Sequence, residues 1–161
     1  MILLKLPNIK GDIAVGGFEE YFVCNSVSWG VERNFDESGT MGTFDPKLGV
    51  PAWTDSIVEV EKSIDQASPD LFLKAVGGGI IGTAELAFIE SLEDGNRYYM
   101  QFKLDGAAVK GWNFSGSEDD RPTETIQLWY NKIFMEVKYG ANAEKAVSRG
   151  WSRVEGKQWQ G

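Results

Sequence analysis

Apolar and polar residues alternate along most of this chain, the pattern of strands with one face buried. Ile2, Leu4 and Leu6 open it as a short strand that Pro7 stops. After a glycine-punctuated turn over residues 8–17, Tyr21 to Arg33 has period two. Val23, Val27, Trp29 and Val31 fall on one face, Cys24, Ser26, Ser28, Gly30 and Glu32 on the other. The first set is expected to face the core, and the second reads as a smooth surface of small residues. Residues 57–62 and 83–90 predict two more strands. Asp94-Gly95-Asn96 is a turn signal that folds 98–105 back as a hairpin, and residues 107–115 add another short strand. From Thr125 to Tyr139 the apolar phase slips: Ile126, Leu128 and Tyr130 give way to Ile133, Met135, Val137 and Tyr139. Such a slip marks a bulge, or a strand turning from one sheet into another.

Two stretches break the alternation. Residues 68–77 carry helix signals: Ser68 as the capping residue, Pro69 at the first helical position, Asp70 against the positive helix end, and a glycine stop at Gly77 to Gly79. Residues 34–55 show no periodicity and hold three glycines, two prolines and the apolar side chains Met41, Phe44, Leu48 and Trp53. A loop this long inside a compact domain is usually functional, and its apolar residues suggest a contact loop. The whole chain, 1–161, reads as one mainly β domain, an antiparallel barrel or closed sandwich with one short flanking helix.

Composition narrows the chemistry. With no histidine and a single cysteine among 161 residues, histidine-based triads, imidazole metal sites and intrachain disulfides are excluded. A net charge of −8 argues against a nucleic-acid or anionic-membrane partner. No apolar run reaches the roughly 20 residues needed to span a bilayer, and the N-terminus does not read as a secretory signal. Glu118, Asp119 and Asp120 match no calcium-loop spacing. Glu59 and Glu61 share a strand face and could imitate a glycosidase pair, although a solvated sheet face explains them as well. The six tryptophans allow a sugar-binding platform, but Trp29 falls on the expected core face and the others are dispersed. No catalytic, cofactor or metal site is expected.

Several short motifs, in order along the chain, resemble the Hcp (hemolysin-coregulated protein) family of type VI secretion. They are Leu4-Lys5-Leu6 through Lys10-Gly11, Ser28-Trp29-Gly30, Ser68-Pro69-Asp70-Leu71, Asp120-Arg121-Pro122-Thr123-Glu124-Thr125 and Gly150-Trp151-Ser152. The main departure is at 34–55, where family members often carry a glycine-rich loop and this chain has prolines and Trp53. The resemblance implies a β-barrel protomer that forms homohexameric rings, stacked into a tube that a contracting sheath expels without any signal peptide. It further implies spike, sheath and baseplate proteins as partners, small effectors carried inside, assembly in the cytoplasm before secretion, and no catalysis. On this resemblance Cys24, Ser26 and Ser28 are expected to line the lumen, and Met41, Phe44, Leu48 and Trp53 to contact the next ring. A phage-type tail tube protein is the nearest alternative, and a carbohydrate-binding sandwich a more distant one.

Overall fold

A computed structural model describes residues 1–13, 16–34, 50–51, 56–92, 95–140 and 143–161. Met41, Phe44, Leu48 and Trp53 lie outside the described residues.

Twelve strands and one helix follow in order: β1 (Ile2–Lys5), β2 (Phe22–Cys24), β3 (Ser26–Ser28), β4 (Arg33–Asn34), β5 (Val50–Pro51), β6 (Val58–Ser63), α1 (Ser68–Gly77), β7 (Gly82–Leu92), β8 (Gly95–Ser115), β9 (Thr123–Trp129), β10 (Lys132–Tyr139), β11 (Lys145–Ser152) and β12 (Lys157–Trp159). Among the described residues the fold is mainly β and antiparallel with one helix, as the alternation and the helix signals at 68–77 predict. Ten strands share a branched sheet. One path runs β12-β11-β10-β8-β7-β1-β2, and from β8 a branch continues through β9 and β6 to β3. Among the described residues the path is open at its ends rather than closed into a barrel.

The 21-residue β8 joins the two parts. Its first half pairs with β7 and β10 and its second half with β9. Asp105-Gly106 reads in sequence as a break between two strands. The chain instead passes through Gly106 with φ 64° and continues. A Cβ there would approach the Asn131 side chain to 2.3 Å, so only glycine lets the bend pack against that amide.

The phase slip between residues 125 and 139 is a corner, as expected. β9 pairs with β6 and the second half of β8 and ends at Trp129, the chain turns at Tyr130 and Asn131, and β10 pairs with the first half of β8 and with β11. The tail after Tyr139, polar except for Trp151 and Trp159, forms β11 and β12.

The core gathers Leu4, Leu6, Phe22, Val58, Val60, Leu71, Leu86, Leu104, Ile126, Leu128 and Tyr130 between the two parts of the sheet and α1. A smaller cluster of Leu3, Tyr21, Ala87 and Ile89 forms on the opposite side of β1 and β7, with Ile13 and Phe18 packed over it. Gly11 permits that crossing: a Cβ would fall 2.0 Å from the Tyr21 carbonyl oxygen.

Candidate functional site

The branch β3-β6-β9-β8 presents one face to the core and the other outward. Burial alternates strictly along β6 and β9, so the register decides which side chains share the outer face. One row across the four strands is Ser26, Glu61, Thr125 and Asn113, and the next is Ser28, Glu59, Gln127 and Gly111. Gln127 Nε2 donates to Glu59 Oε2 at 3.0 Å. Gly111 leaves room for it, since a Cβ there would meet Gln127 Oε1 at 2.7 Å. The result is an outward sheet face made of short or amide and carboxylate side chains.

Ser26 and Ser28 are exposed on this face, but Cys24 is not with them. The expected common face is corrected here. Phe22 and Cys24 turn into the core and Val23 outward, whereas beyond Asn25 it is Val27 that packs inward. Asn25 causes the switch: its N–H donates to the Glu61 carbonyl at 2.7 Å, and the strand leaves β1 to join β6 one residue out of phase. Val23 and Val31, expected inside, are exposed. Burial raises the Cys24 thiol to about 12, so it is neutral and unreactive at ordinary pH.

The segment 31–55 is held at both stems. The Trp29 indole N–H donates to the Tyr130 hydroxyl at 2.7 Å. The Ser56 hydroxyl lies 2.9 Å from the same oxygen and donates to the Gly30 carbonyl at 2.8 Å. Arg153 Nη1 donates to the Tyr130 carbonyl at 3.1 Å, and its guanidinium stacks on the Trp129 and Tyr130 rings. Just beyond the stems, Arg33 pairs with Pro51 and Asn34 with Val50 as a two-residue antiparallel ladder. The two flanks of the 34–55 stretch are therefore anchored to the body at Trp29, Gly30 and Ser56, with a short ladder just beyond.

Helix α1 is tied down by buried charge that the sequence did not announce. Lys62 and Glu124, both fully buried, form an ion pair at 2.6 Å, and Lys62 also meets Asp65 at 2.8 Å. Ser68 Oγ donates to Glu124 Oε1 at 2.7 Å, and Trp112 Nε1 donates to its other oxygen. Ser68 is therefore not the N-cap expected for it. Ala67 holds that position without a side-chain bond, and the Ser68 hydroxyl joins the helix to β9. At the other end the left-handed residue is Gly78 rather than Gly77.

Among the described residues two apolar grooves lie on the surface. One, of about 440 Å³, is lined by Trp29, Phe102, Ile133, Met135, Arg149 and Trp151. The other, of about 430 Å³, lies against α1 between Pro69, Phe72, Trp112, Phe114 and Pro122. Neither is lined by a converging set of acids, bases and nucleophiles.

A family model described as "Type VI secretion system effector, Hcp" matches residues 3–137. No curated protein matches by sequence. Among solved structures, one described as a type six secretion system protein is 25% identical, covers 98% of each chain and superposes with a TM-score of 0.84. Hcp1 from Salmonella typhimurium is 20% identical, with 98% of this chain and 97% of that one covered and a TM-score of 0.76. A type VI secretion system effector from Yersinia pestis is 16% identical, with 94% and 99% covered and a TM-score of 0.74.

Proposed function

Because the chain belongs to the Hcp family of type VI secretion and is a tube component of that system, we propose that it works by self-association: protomers close into hexameric rings, and rings stack into the tube. The observation that carries this reading is the outward face of β3-β6-β9-β8. A sheet face of short polar side chains, backed by a continuous core, is suited to line a channel through which folded cargo passes without adhering. Ser26 and Ser28 stand on it, joined by Glu59, Glu61, Thr125 and Gln127. In this reading the stretch 34–55 supplies the contact with the next ring, with Met41, Phe44, Leu48 and Trp53 as its contact residues. The role is structural, without turnover. Spike, sheath and baseplate proteins are its partners in the machine, small effectors are its cargo, and the assembled tube leaves the cell.

Size-exclusion chromatography with light scattering tests the reading. Particles of roughly six times the 17.9 kDa chain mass, annular by electron microscopy, are expected. A single subunit at every concentration would overturn it.

A further inference from the structure

We infer that the two apolar grooves are the two halves of one head-to-tail subunit contact, in which Phe114 of one copy enters the Trp29–Phe102–Met135–Trp151 groove of the next. The inference rests on the ring reading above and assigns the surfaces that close the ring.

A closed ring requires a heterologous contact, built from two different patches on each subunit and placed on different sides of it. The described surface offers two such patches. Phe72, Trp112 and Phe114 form a run of aromatic rings with centroids 5.5 and 5.7 Å apart, and Phe114, at its end, is 65% exposed. Trp29 and Phe102, 6.0 Å apart, form the floor of the other, and Met135 at its wall is 39% exposed. Exposed apolar surface of this kind marks a contact site.

Their placement fits. In the four-stranded branch, β3 and β8 are the outer strands. Trp29 directly follows β3, whereas Trp112 and Phe114 belong to β8. The rest of the first groove comes from Phe102 in the first half of β8, Met135 of β10 and Trp151 of β11, so the two patches lie on different parts of the sheet, as a heterologous contact requires.

Charge selects the same pairing. Four residues beyond Phe114 the chain bears Glu118, Asp119 and Asp120, all exposed, with Asp70 on the helix beside the groove; together they outnumber Arg121. The other groove is walled by Arg149, and Lys145 projects from the same side of β11. Acid on one half and base on the other favour head-to-tail docking and disfavour either patch meeting its own copy. Aromatic side chains entering an apolar pocket, ringed by charge, are the usual centre of such contacts.

The test uses full-length Phe114→Glu and Met135→Glu, each spoiling one half, with wild type as reference. If wild type forms rings, each variant alone is expected to remain a monomer, with association weakened roughly a hundredfold or more. An equimolar mixture is expected to stop at a dimer of about twice the 17.9 kDa chain mass, because only one intact contact is left and neither outer end can add another subunit. Rings from either variant alone, or a mixture that stays monomeric, would overturn the pairing while the ring reading stands. A monomeric wild type would overturn both. Circular dichroism checks each fold, and a variant that fails it is replaced by Phe114→Ser or Met135→Ser, read by the same mixing experiment.

Discussion

The Trp29 indole donates to the Tyr130 hydroxyl at 2.7 Å across 101 residues of sequence. The bond fastens the end of the strand leading to Arg33 and Asn34 to the corner where the chain leaves β9 for β10. Ser56, at the returning end, reaches the same oxygen, so one phenol gathers both stems.

Tyr130→Phe removes that oxygen and leaves the ring in place. Two hydrogen bonds are lost at a buried site, and a destabilisation of about 1–3 kcal/mol is expected, read by urea unfolding. Hydrogen exchange should accelerate at Asn34 and Val50 far more than at Val60 or Leu128. Uniform acceleration would show that the phenol supports the core rather than the flanks of the 34–55 stretch.

The buried ion pair predicts an asymmetry. Lys62→Met leaves Glu124 charged and buried without its cation, and a loss of roughly 3–5 kcal/mol is expected. Adding Glu124→Leu should recover part of it, because the fully buried carboxylate is gone and only Asp65, which is less deeply buried, is left without its cation, although Ser68 and Trp112 then lose an acceptor. Denaturation of both single variants and the double gives the coupling. Additive losses would mean that the two charges do not compensate each other.

Cys24 makes an alkaline prediction. Its thiol ionises at about 12 in the fold, against 9.0 for an ordinary thiol. The unfolded chain releases this proton first, so the contribution is intact below pH 9 and disappears as pH rises from 9 towards 12. Cys24→Ala should flatten the fall in stability over that window and cost about 1–2 kcal/mol at neutral pH from the vacated volume. Some slope remains above pH 10, because burial and the bond to Glu85 also raise the Tyr21 hydroxyl. An unchanged alkaline profile would contradict the assignment.

The polar face and the 34–55 stretch separate by mutation. Ser28→Gln should narrow the lumen and reduce cargo recovered with the rings, leaving the rings intact; undiminished co-purification counts against it. Replacing Phe44 and Trp53 with serine should weaken stacking more than ring closure, and sedimentation showing separated subunits would contradict that division.

Much of the architecture was legible because it depends on alternation. The boundaries of β6 and α1 and the corner after Trp129 follow from apolar phase, a proline and a slip in period. What was missed depends on partners distant in sequence. Cys24 reads as sharing a face with Ser26 because nothing local reveals that the strand changes partners at Asn25, from β1 to β6. Ser68 has every local mark of a cap, but Glu124, 56 residues away, takes its hydroxyl. Lys62 reads as one more charge on a strand, and only the fold brings Asp65 and Glu124 to it. Asp105-Gly106 reads as a turn because the Asn131 side chain that packs against it belongs to the later corner. For the polar face, Glu59 and Glu61 were visible as neighbours on one side of a strand. Their rows with Ser28 and Ser26 required the register of four strands.

The unbroken course of β8 has a mechanical consequence. A polypeptide that crosses from one half of a molecule to the other without a connecting loop offers no hinge between them, and the bend it does contain is wedged by Asn131. Force applied to either half passes along the same strand into the ladders with β7 and β10 at one end and with β9 at the other. A protomer built this way can be pushed as a single stiff tile, because yielding at its middle would require many backbone bonds to break together.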